Sequence, residues 1–126
     1  MLEDLLKTIP VDFQSLMAMS PVPLGLADPP SCPGVYMLLV NQDVMYVGEA
    51  KGRKGLRDRL LNKHISGDDN HAIQRAFLLD FPDRLVRRGH IRSTVHVRWL
   101  PMDDLDRVSV VERALIWLYR PPWNRM

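Results

Sequence analysis

A single carboxylate stands in an apolar segment near the end of the chain. Glu112 is the only acid between Val108 and Leu118, among valine, alanine, leucine and tryptophan side chains. The spacing of these apolar residues predicts a helix from about Arg107 to Tyr119, which a pair of prolines ends. A carboxylate in such a helix either caps it, forms a salt bridge or binds a ligand. Glu112 is therefore a candidate binding residue.

Cationic side chains are concentrated in two parts of the chain, although the formal net charge is only +2. They are Lys51, Arg53, Lys54, Arg57, Arg59 and Lys63 in the first part and Arg84, Arg87, Arg88, Arg92 and Arg98 in the second. This separation of charge fits a face that binds a polyanion such as nucleic acid. Basic helix faces in contact with solvent explain it equally well, so charge alone leaves both interpretations open.

Two tyrosines lie on strands that we predict to be neighbours. Short apolar runs at 35–40 and 44–47 flank the turn-forming segment 41–43, a pattern typical of an antiparallel hairpin that Gly48 closes. Near-opposite placement would bring the hydroxyls of Tyr36 and Tyr46 to one site. A phenol, with a reference pKa of about 10, is a poor base unless a nearby cation lowers that pKa. The alternative is a pair of tyrosines that only pack on the sheet.

The remaining segments predict a small α/β fold. They are a helix at 2–7 ending before Pro10, an extended proline-rich arm at 21–33, a helix beginning near Leu56, a break at 66–70, a helix at 71–79 and a strand at 94–100. We therefore predict a three-stranded β-sheet flanked by helices in the order β-β-α-α-β-α. Residues 34–126 form this domain, and residues 1–33 form an N-terminal helix and the arm.

The 126 residues are enough for one ordinary domain. The single cysteine, Cys32, excludes an internal disulfide and a cysteine-based zinc site. No apolar run approaches the roughly 18 residues of a membrane span, and the first residues are acidic where a secretory signal is basic. We expect a cytoplasmic protein that does not interact with membranes.

Five elements in sequence order resemble the GIY-YIG nuclease superfamily. Gly34-Val35-Tyr36 and Tyr46-Val47-Gly48 are similar to its paired tripeptides, Leu56-Arg57-Asp58-Arg59-Leu60 to its arginine helix, Glu112 to its helix glutamate, and Arg120-Pro121-Pro122-Trp123-Asn124 to the ending of that helix. The interval from Glu112 to Asn124 equals that in the repair-excision members. The resemblance implies the fold of this superfamily and a metal-dependent endonuclease that hydrolyses phosphodiester bonds.

The resemblance also implies roles for individual residues. Glu112 would be the only protein ligand of a single Mg²⁺ or Mn²⁺ ion, which favours oxygen ligands. Tyr46 would orient or deprotonate the attacking water, and Tyr36 would position the phosphate. Arg59 would bind the phosphate, because the guanidinium fork suits phosphate oxygens, with Arg57 as the second choice.

The chain departs from the family pattern after the arginine. Many members have a histidine or tyrosine four residues later, where this chain has Lys63, with His64 one position further. Either the helix is irregular and His64 takes the role, or Lys63 replaces it as a cation; we favour His64. Glu49, directly after Gly48, would repel phosphate unless Lys51 or Arg53 offsets its charge.

Further residues are expected around the substrate. Those expected to bind it are Gly48, Lys51, Arg53, Arg57, Lys63 and His71, and those expected to support the site are Gly34 and Asn124. The expected partner is nucleic acid, and DNA rather than RNA. A homodimer is also expected, or a protein partner bound through the proline-rich arm. The alternative is a catalytically inactive module that retains the fold and binds nucleic acid or a protein.

Overall fold

The computed structural model describes residues 2–65 and 71–125, so the break predicted at 66–70 lies outside the described residues. In chain order the elements are α1 (Leu2–Ala18), β1 (Val22–Pro23), β2 (Gly34–Val40), β3 (Asp43–Ala50), α2 (Gly55–Arg57) continuing as a π-helix (Asp58–Ile65), α3 (Ala72–Leu78), α4 (Arg84–Thr94), β4 (His96–Pro101) and α5 (Leu105–Tyr119). Short 3₁₀ turns occupy Leu24–Leu26 and Pro122–Arg125. The predicted mixture of helices and strands is confirmed.

The sheet has four antiparallel strands in the order β1-β4-β2-β3, so the predicted count of three was wrong. The extra strand comes from the proline-rich arm, where Val22 pairs with Val97 and Pro23 with His96. An edge strand tolerates proline because only one of its sides needs backbone donors. The two-residue strand was invisible in the sequence because its pairing depends on β4, far along the chain.

The β2–β3 hairpin turns at two residues with positive φ. Asn41 (φ 52°) and Gln42 (φ 71°) adopt the left-handed conformation of the tight turns that match the twist of paired strands. The strand β3 continues to Ala50, so the expectation that Gly48 closes it was wrong. Gly48 instead pairs with Tyr36, and the two strands stay in register beyond the tripeptide.

Strand β2 is buried on both of its faces. Its alternate side chains belong to two cores, one with Tyr36 and Leu38 under the π-helix, α3 and α4, and one with Met37 and Leu39 under α1 and α5. Because successive strand residues point to opposite faces, a strand covered on both faces is apolar throughout. This explains the continuous apolar run seen in the sequence.

Helix α1 extends to Ala18 with Pro10 inside it, so the predicted end before Pro10 was wrong. A proline removes one backbone hydrogen bond from a helix interior. Here tertiary contacts beyond the proline hold the helix. Leu16 is fully buried, and the carboxylate of Asp12, itself only 3% exposed, accepts hydrogen bonds from Arg107 Nε and Nη2 of α5.

Helix α4 was missing from the sequence prediction. Its buried side chains are Arg87 and Ile91, and the carboxylate of Asp83 caps its first turn by accepting from the Val86 backbone N–H. An arginine on the inner face and exposed Leu85 and Val86 give no apolar stripe of helical period. No helix in the described part of the chain is both long enough and apolar enough to cross a membrane.

Candidate functional site

Tyr36 and Tyr46 meet on one face of the β2–β3 hairpin. Tyr36 pairs with Gly48 and Tyr46 with Leu38, so the two tyrosines are diagonal rather than directly opposite. Their ring centroids are 6.2 Å apart. A Cβ atom at Gly48 would overlap the Tyr36 ring. Glycine therefore leaves the space that the Tyr36 phenol occupies.

His64 completes a cluster with these two rings. Its Nε2 lies 2.6 Å from the hydroxyl oxygen of Tyr36, and its ring is edge-on to both tyrosines at centroid distances of 5.4 Å. His71 lies beside it at 6.5 Å. His64 is only 3% exposed, whereas Lys63 is exposed to solvent. The structure therefore brings His64, and not Lys63, to the tyrosines.

The π-helix explains why the histidine comes one residue late. In an α-helix, side chains three and four positions apart share a face, whereas the π-helix has an i→i+5 repeat. Arg59 and His64 are five apart and both lie in the π-helical segment Asp58–Ile65. The wider turn places both residues toward Tyr36, and Lys63 falls on the solvent side.

The buried part of the cluster is electrically neutral. Burial, with a smaller contribution from Tyr46, raises the pKa of the Tyr36 phenol above its ordinary value. Burial, reinforced by the charge of Arg59 and by His71, lowers the pKa of His64 to about 3. The Tyr36 hydroxyl and His64 Nε2 therefore share a hydrogen bond between two neutral groups, in which the tautomer of the imidazole sets which group donates.

Arg59 is the cation of the cluster. Burial lowers the pKa of its guanidinium, but interactions with Tyr36 and Tyr46 raise that pKa by more. It therefore stays protonated beside both phenols. Arg57 points elsewhere, to the carboxylate of Asp28 and the carbonyl of Pro29 in the proline-rich arm. The structure thus brings Arg59 to the tyrosines and ties Arg57 to the arm.

Glu112 faces the same region from α5. Burial and the neighbouring carboxylate of Glu49 raise the pKa of Glu112 to about 7, against the opposing effects of Arg113, Lys51 and Arg59. Lys51 holds α5 close to the end of β3, because its ammonium donates to the hydroxyl of Ser109 and lies 3.7 Å from Glu49. A half-buried carboxylate with a raised pKa is a common feature of functional sites.

A groove of about 420 Å³ opens beside Arg59 and Glu49. It is lined by Glu49, Ala50, Lys51, Gly52, Arg53, Lys54, Gly55, Asp58 and Arg59. The expected substrate-binding residues Lys51 and Arg53 are therefore on its wall, next to the tyrosine cluster. Its cationic lining is suited to a phosphate backbone.

The two expected supporting residues make close backbone contacts. The side-chain oxygen of Asn124 accepts from the Val47 N–H at 2.9 Å, and its amide nitrogen donates to the Val47 carbonyl at 2.8 Å. These bonds tie the chain end to the residue between Tyr46 and Gly48. A Cβ atom at Gly34 would overlap the carbonyl of Leu100, so glycine permits close pairing of β2 with β4.

Two buried polar residues that the sequence analysis missed hold His64 in place. Gln74 is fully buried, and its amide donates to the carbonyls of His64 at 2.7 Å and Ile65 at 2.9 Å. Arg87 Nε donates in turn to the side-chain oxygen of Gln74 at 2.8 Å, and Arg87 is 1% exposed. Arg87 is therefore part of neither surface considered for its basic group, a polyanion-binding face or a solvent-facing helix face. A glutamine beside Ile73 in an apolar stretch was the only available signal.

We expect His64 to make the stability of the fold depend on pH. Its folded pKa of about 3 lies below its ordinary value of 6.5. Below pH 6.5 the unfolded chain therefore takes up a proton that the folded chain does not. The contribution of His64 to the free energy of unfolding should fall with decreasing pH by up to about 1.4 kcal/mol per pH unit, whereas the raised pKa of Glu112 contributes in the opposite direction over the same range.

Urea unfolding at about pH 7.5 and about pH 5.5 measures this contribution as the difference in pH dependence between wild type and His64→Gln, which both retain Glu112. His64→Gln should remove most of it, whereas the matched variant His96→Gln, on β4, should keep the wild-type dependence. Equal pH dependence in wild type and His64→Gln would contradict the assignment of a buried neutral imidazole.

The chain was compared with known proteins. It is 33% identical over 96 residues to the UvrABC system protein C of Psychrobacter cryohalolentis and to that of Psychrobacter arcticus. The match covers 75% of the chain but 13% of each relative, so the chain spans only a small part of their length. No protein-family model matches the chain.

Two similar solved structures are point mutants of the GIY-YIG N-terminal endonuclease domain of UvrC from Thermotoga maritima, each bound to its catalytic divalent cation. Both have a TM-score of 0.51, at 22% and 21% sequence identity. They cover 79% of this chain and 88% and 89% of those domains. The fold expected from the five elements in sequence order is confirmed.

Proposed function

We propose that this chain, which belongs by fold to the GIY-YIG nuclease superfamily, is a metal-dependent endonuclease that hydrolyses phosphodiester bonds in nucleic acid. The observation that supports this most strongly is the joint position of Tyr36, Tyr46, Arg59 and His64 beside a cationic groove. The resemblance favours DNA as the substrate rather than RNA.

The residues around Glu112 fit a hard divalent cation. Its half-buried carboxylate lies near Glu49, and the Oε2 atom of Glu49 is buried with no hydrogen-bond partner among the described residues. Two neighbouring carboxylates attract a divalent cation, and magnesium and manganese both favour oxygen ligands. Among the described residues, no three metal-binding side chains lie together. When bound, the cation would supply positive charge at the phosphate as the bond breaks.

The other residues of the site would act on either the phosphate or the attacking water. Arg59, kept protonated beside the phenols, would neutralise the phosphate. Tyr36 is fully buried and bound to His64, so it would hold Arg59 and the phosphate in position without meeting bulk water. Tyr46 is only partly buried, and its hydroxyl would orient the attacking water.

A nicking assay tests the function. Wild-type protein should convert supercoiled plasmid to nicked or linear DNA with Mg²⁺ or Mn²⁺ and not with EDTA. Labelled single-stranded, duplex and flapped DNA, with RNA counterparts, would identify the preferred substrate. Binding of these molecules without cleavage under any metal condition would favour the inactive binding module instead.

The variant Tyr46→Phe tests whether the hydroxyl of Tyr46 acts in cleavage without contributing to folding. Loss of the hydroxyl should reduce cleavage by about 10²-fold or more, since a positioned group of this kind contributes that much to proton transfer. The far-ultraviolet circular dichroism and the melting temperature should stay close to wild type. Tyr119→Phe, at an exposed tyrosine of α5, is the matched control and should cleave normally. Full activity in Tyr46→Phe would contradict the assigned role.

A further inference from the structure

A second groove, of about 290 Å³, lies at the carboxyl end of α5 and contains an exposed tryptophan. Trp117 has 68% of its surface exposed, whereas the neighbouring Trp123 is 7% exposed and packs against Phe77. Single exposed aliphatic residues are ordinary, but a large exposed aromatic ring in a groove is a common feature of binding surfaces. The Trp117 ring therefore contributes little to the hydrophobic cores of the fold.

The charge of this groove has one sign. Arg113, Arg120 and Arg125 line it, and none of the described lining residues is acidic. The guanidinium carbon of Arg120 lies 5.9 Å from the centroid of the Trp117 ring, within the range of a cation–π contact. An exposed aromatic ring in a groove lined by guanidinium groups complements a base with its flanking phosphates.

Arg120 holds this position in an unfavourable backbone conformation. It ends α5 with φ 45° and ψ 57°, the left-handed region that glycine usually occupies at a helix end. Side chains other than glycine and asparagine rarely adopt it. Glycine would relieve the strain, but it would remove the guanidinium from Trp117. Arg120 thus keeps a guanidinium beside Trp117 at a helix end where glycine would be the more stable residue.

The groove adjoins the catalytic cluster. Ile116, on its wall, is one helical turn after Glu112, and Asn124, also on its wall, binds the backbone of Val47 next to Tyr46. Five residues of α-helix place Trp117 about 7.5 Å further along the axis than Glu112 and on a different face of the helix. Ile116 and Asn124 therefore connect the groove to the side of α5 that carries Glu112 and to strand β3.

We propose that this groove binds an unpaired nucleotide of the substrate strand beside the catalytic cluster, with its base on Trp117 and its phosphates on the three arginines. The position relative to a cleaved bond rests on the function proposed above. A base inside a duplex is covered by its neighbours on both faces and cannot stack on a side chain. The groove therefore selects substrates with a single-stranded segment near the cleavage site.

Binding in EDTA tests the groove without any cleavage. The probes are a fluorescein-labelled single strand of about 12 nucleotides and the duplex of the same sequence, followed by fluorescence anisotropy. Trp117→Ala should weaken single-strand binding by about 5-fold or more, which corresponds to the loss of one base–aromatic stack. Trp117→Phe should restore most of the affinity. Duplex affinity should change less than twofold in either variant.

Arg120→Gly distinguishes binding from stability. This variant should bind the single strand several-fold more weakly and yet have a higher melting temperature than wild type, because the left-handed strain is removed. Controls are Leu85→Ala, at a residue 77% exposed on α4, and Lys7→Ala, which removes one cation outside the groove. Both should bind like wild type.

Unchanged single-strand affinity in Trp117→Ala and Arg120→Gly would overturn the proposal, whether or not the chain cleaves DNA. Self-association of wild type that Trp117→Ala abolishes in sedimentation would also overturn it, since a second copy would then cover the groove. Conversely, Trp117-dependent binding by a chain that cleaves nothing would leave the groove in place and refute only the nuclease proposal.

Discussion

Replacement of Glu112 by glutamine is expected to reduce cleavage by about 10³-fold or more, with the fold intact. The amide has nearly the shape of the carboxylate, but it carries no charge with which to hold a divalent cation. A plasmid-nicking time course in Mg²⁺ measures the activity. Calorimetric titration with Mn²⁺ measures metal binding independently of catalysis, and it should lose its high-affinity site.

The same substitution should stabilise the metal-free fold at high pH. The folded pKa of Glu112, about 7, exceeds its ordinary value of 4.5, so the folded chain keeps a proton that the unfolded chain has lost. The resulting destabilisation grows from pH 4.5 to pH 7 and is complete above pH 7. In EDTA at about pH 8, Glu112→Gln should therefore melt above wild type, and below about pH 4.5 the two should coincide.

Glu3→Gln is the control for both measurements, because Glu3 is an exposed carboxylate at the start of α1. It should leave activity, metal binding and melting unchanged. Wild-type cleavage by Glu112→Gln would refute the catalytic assignment. A lower melting temperature at high pH would instead refute the unfavourable environment inferred for the carboxylate.

Gly48→Ala is expected to damage both stability and activity. The added methyl group would overlap the ring of Tyr36, which is fully buried and hydrogen-bonded to His64 and so cannot turn aside. Overpacking of this kind destabilises by about 1–3 kcal/mol. Displacement of the phenol by about 1 Å would lower cleavage by about 10²-fold. Urea unfolding and the nicking assay measure the two effects.

Gly89→Ala provides the comparison. Gly89 lies in α4, away from the cationic groove, and a Cβ atom there would meet no neighbouring heavy atom within 4 Å. This variant should be at least as stable as wild type, because alanine favours a helix over glycine, and it should cleave normally. If Gly48→Ala matched Gly89→Ala in stability, the phenol would have more freedom than its contacts with Gly48 and His64 allow.

Local patterns were sufficient to predict the central parts of this fold. The turn-forming segment between two apolar runs predicted the β2–β3 hairpin, and the apolar period around Glu112 predicted α5, observed at Leu105–Tyr119. The tyrosine pair followed from the hairpin, because strand pairing fixes which side chains share a face. Each of these predictions depends only on residues close in sequence.

The missed features all depend on distant contacts. Pro10 would end an isolated helix, but Asp12 and Arg107 join α1 to α5 beyond it. Arginine is usually a surface residue. Arg87 is buried because Gln74 and the carbonyls of Phe81 and Pro82 accept its hydrogen bonds. Neither group of interacting residues can be predicted from the local periodicity of the sequence.

The π-helix changes what a sequence motif means in this fold. Its hydrogen-bond interval is one residue longer than the i→i+4 interval of an α-helix, so the winding of the helix accommodates the five-residue spacing of Arg59 and His64. A pattern search with a fixed four-residue interval would pair Arg59 with the solvent-exposed Lys63 and score the chain as lacking its histidine. Motif definitions for such helices should therefore treat the interval after the arginine as variable and ask which residue the backbone winding turns inward.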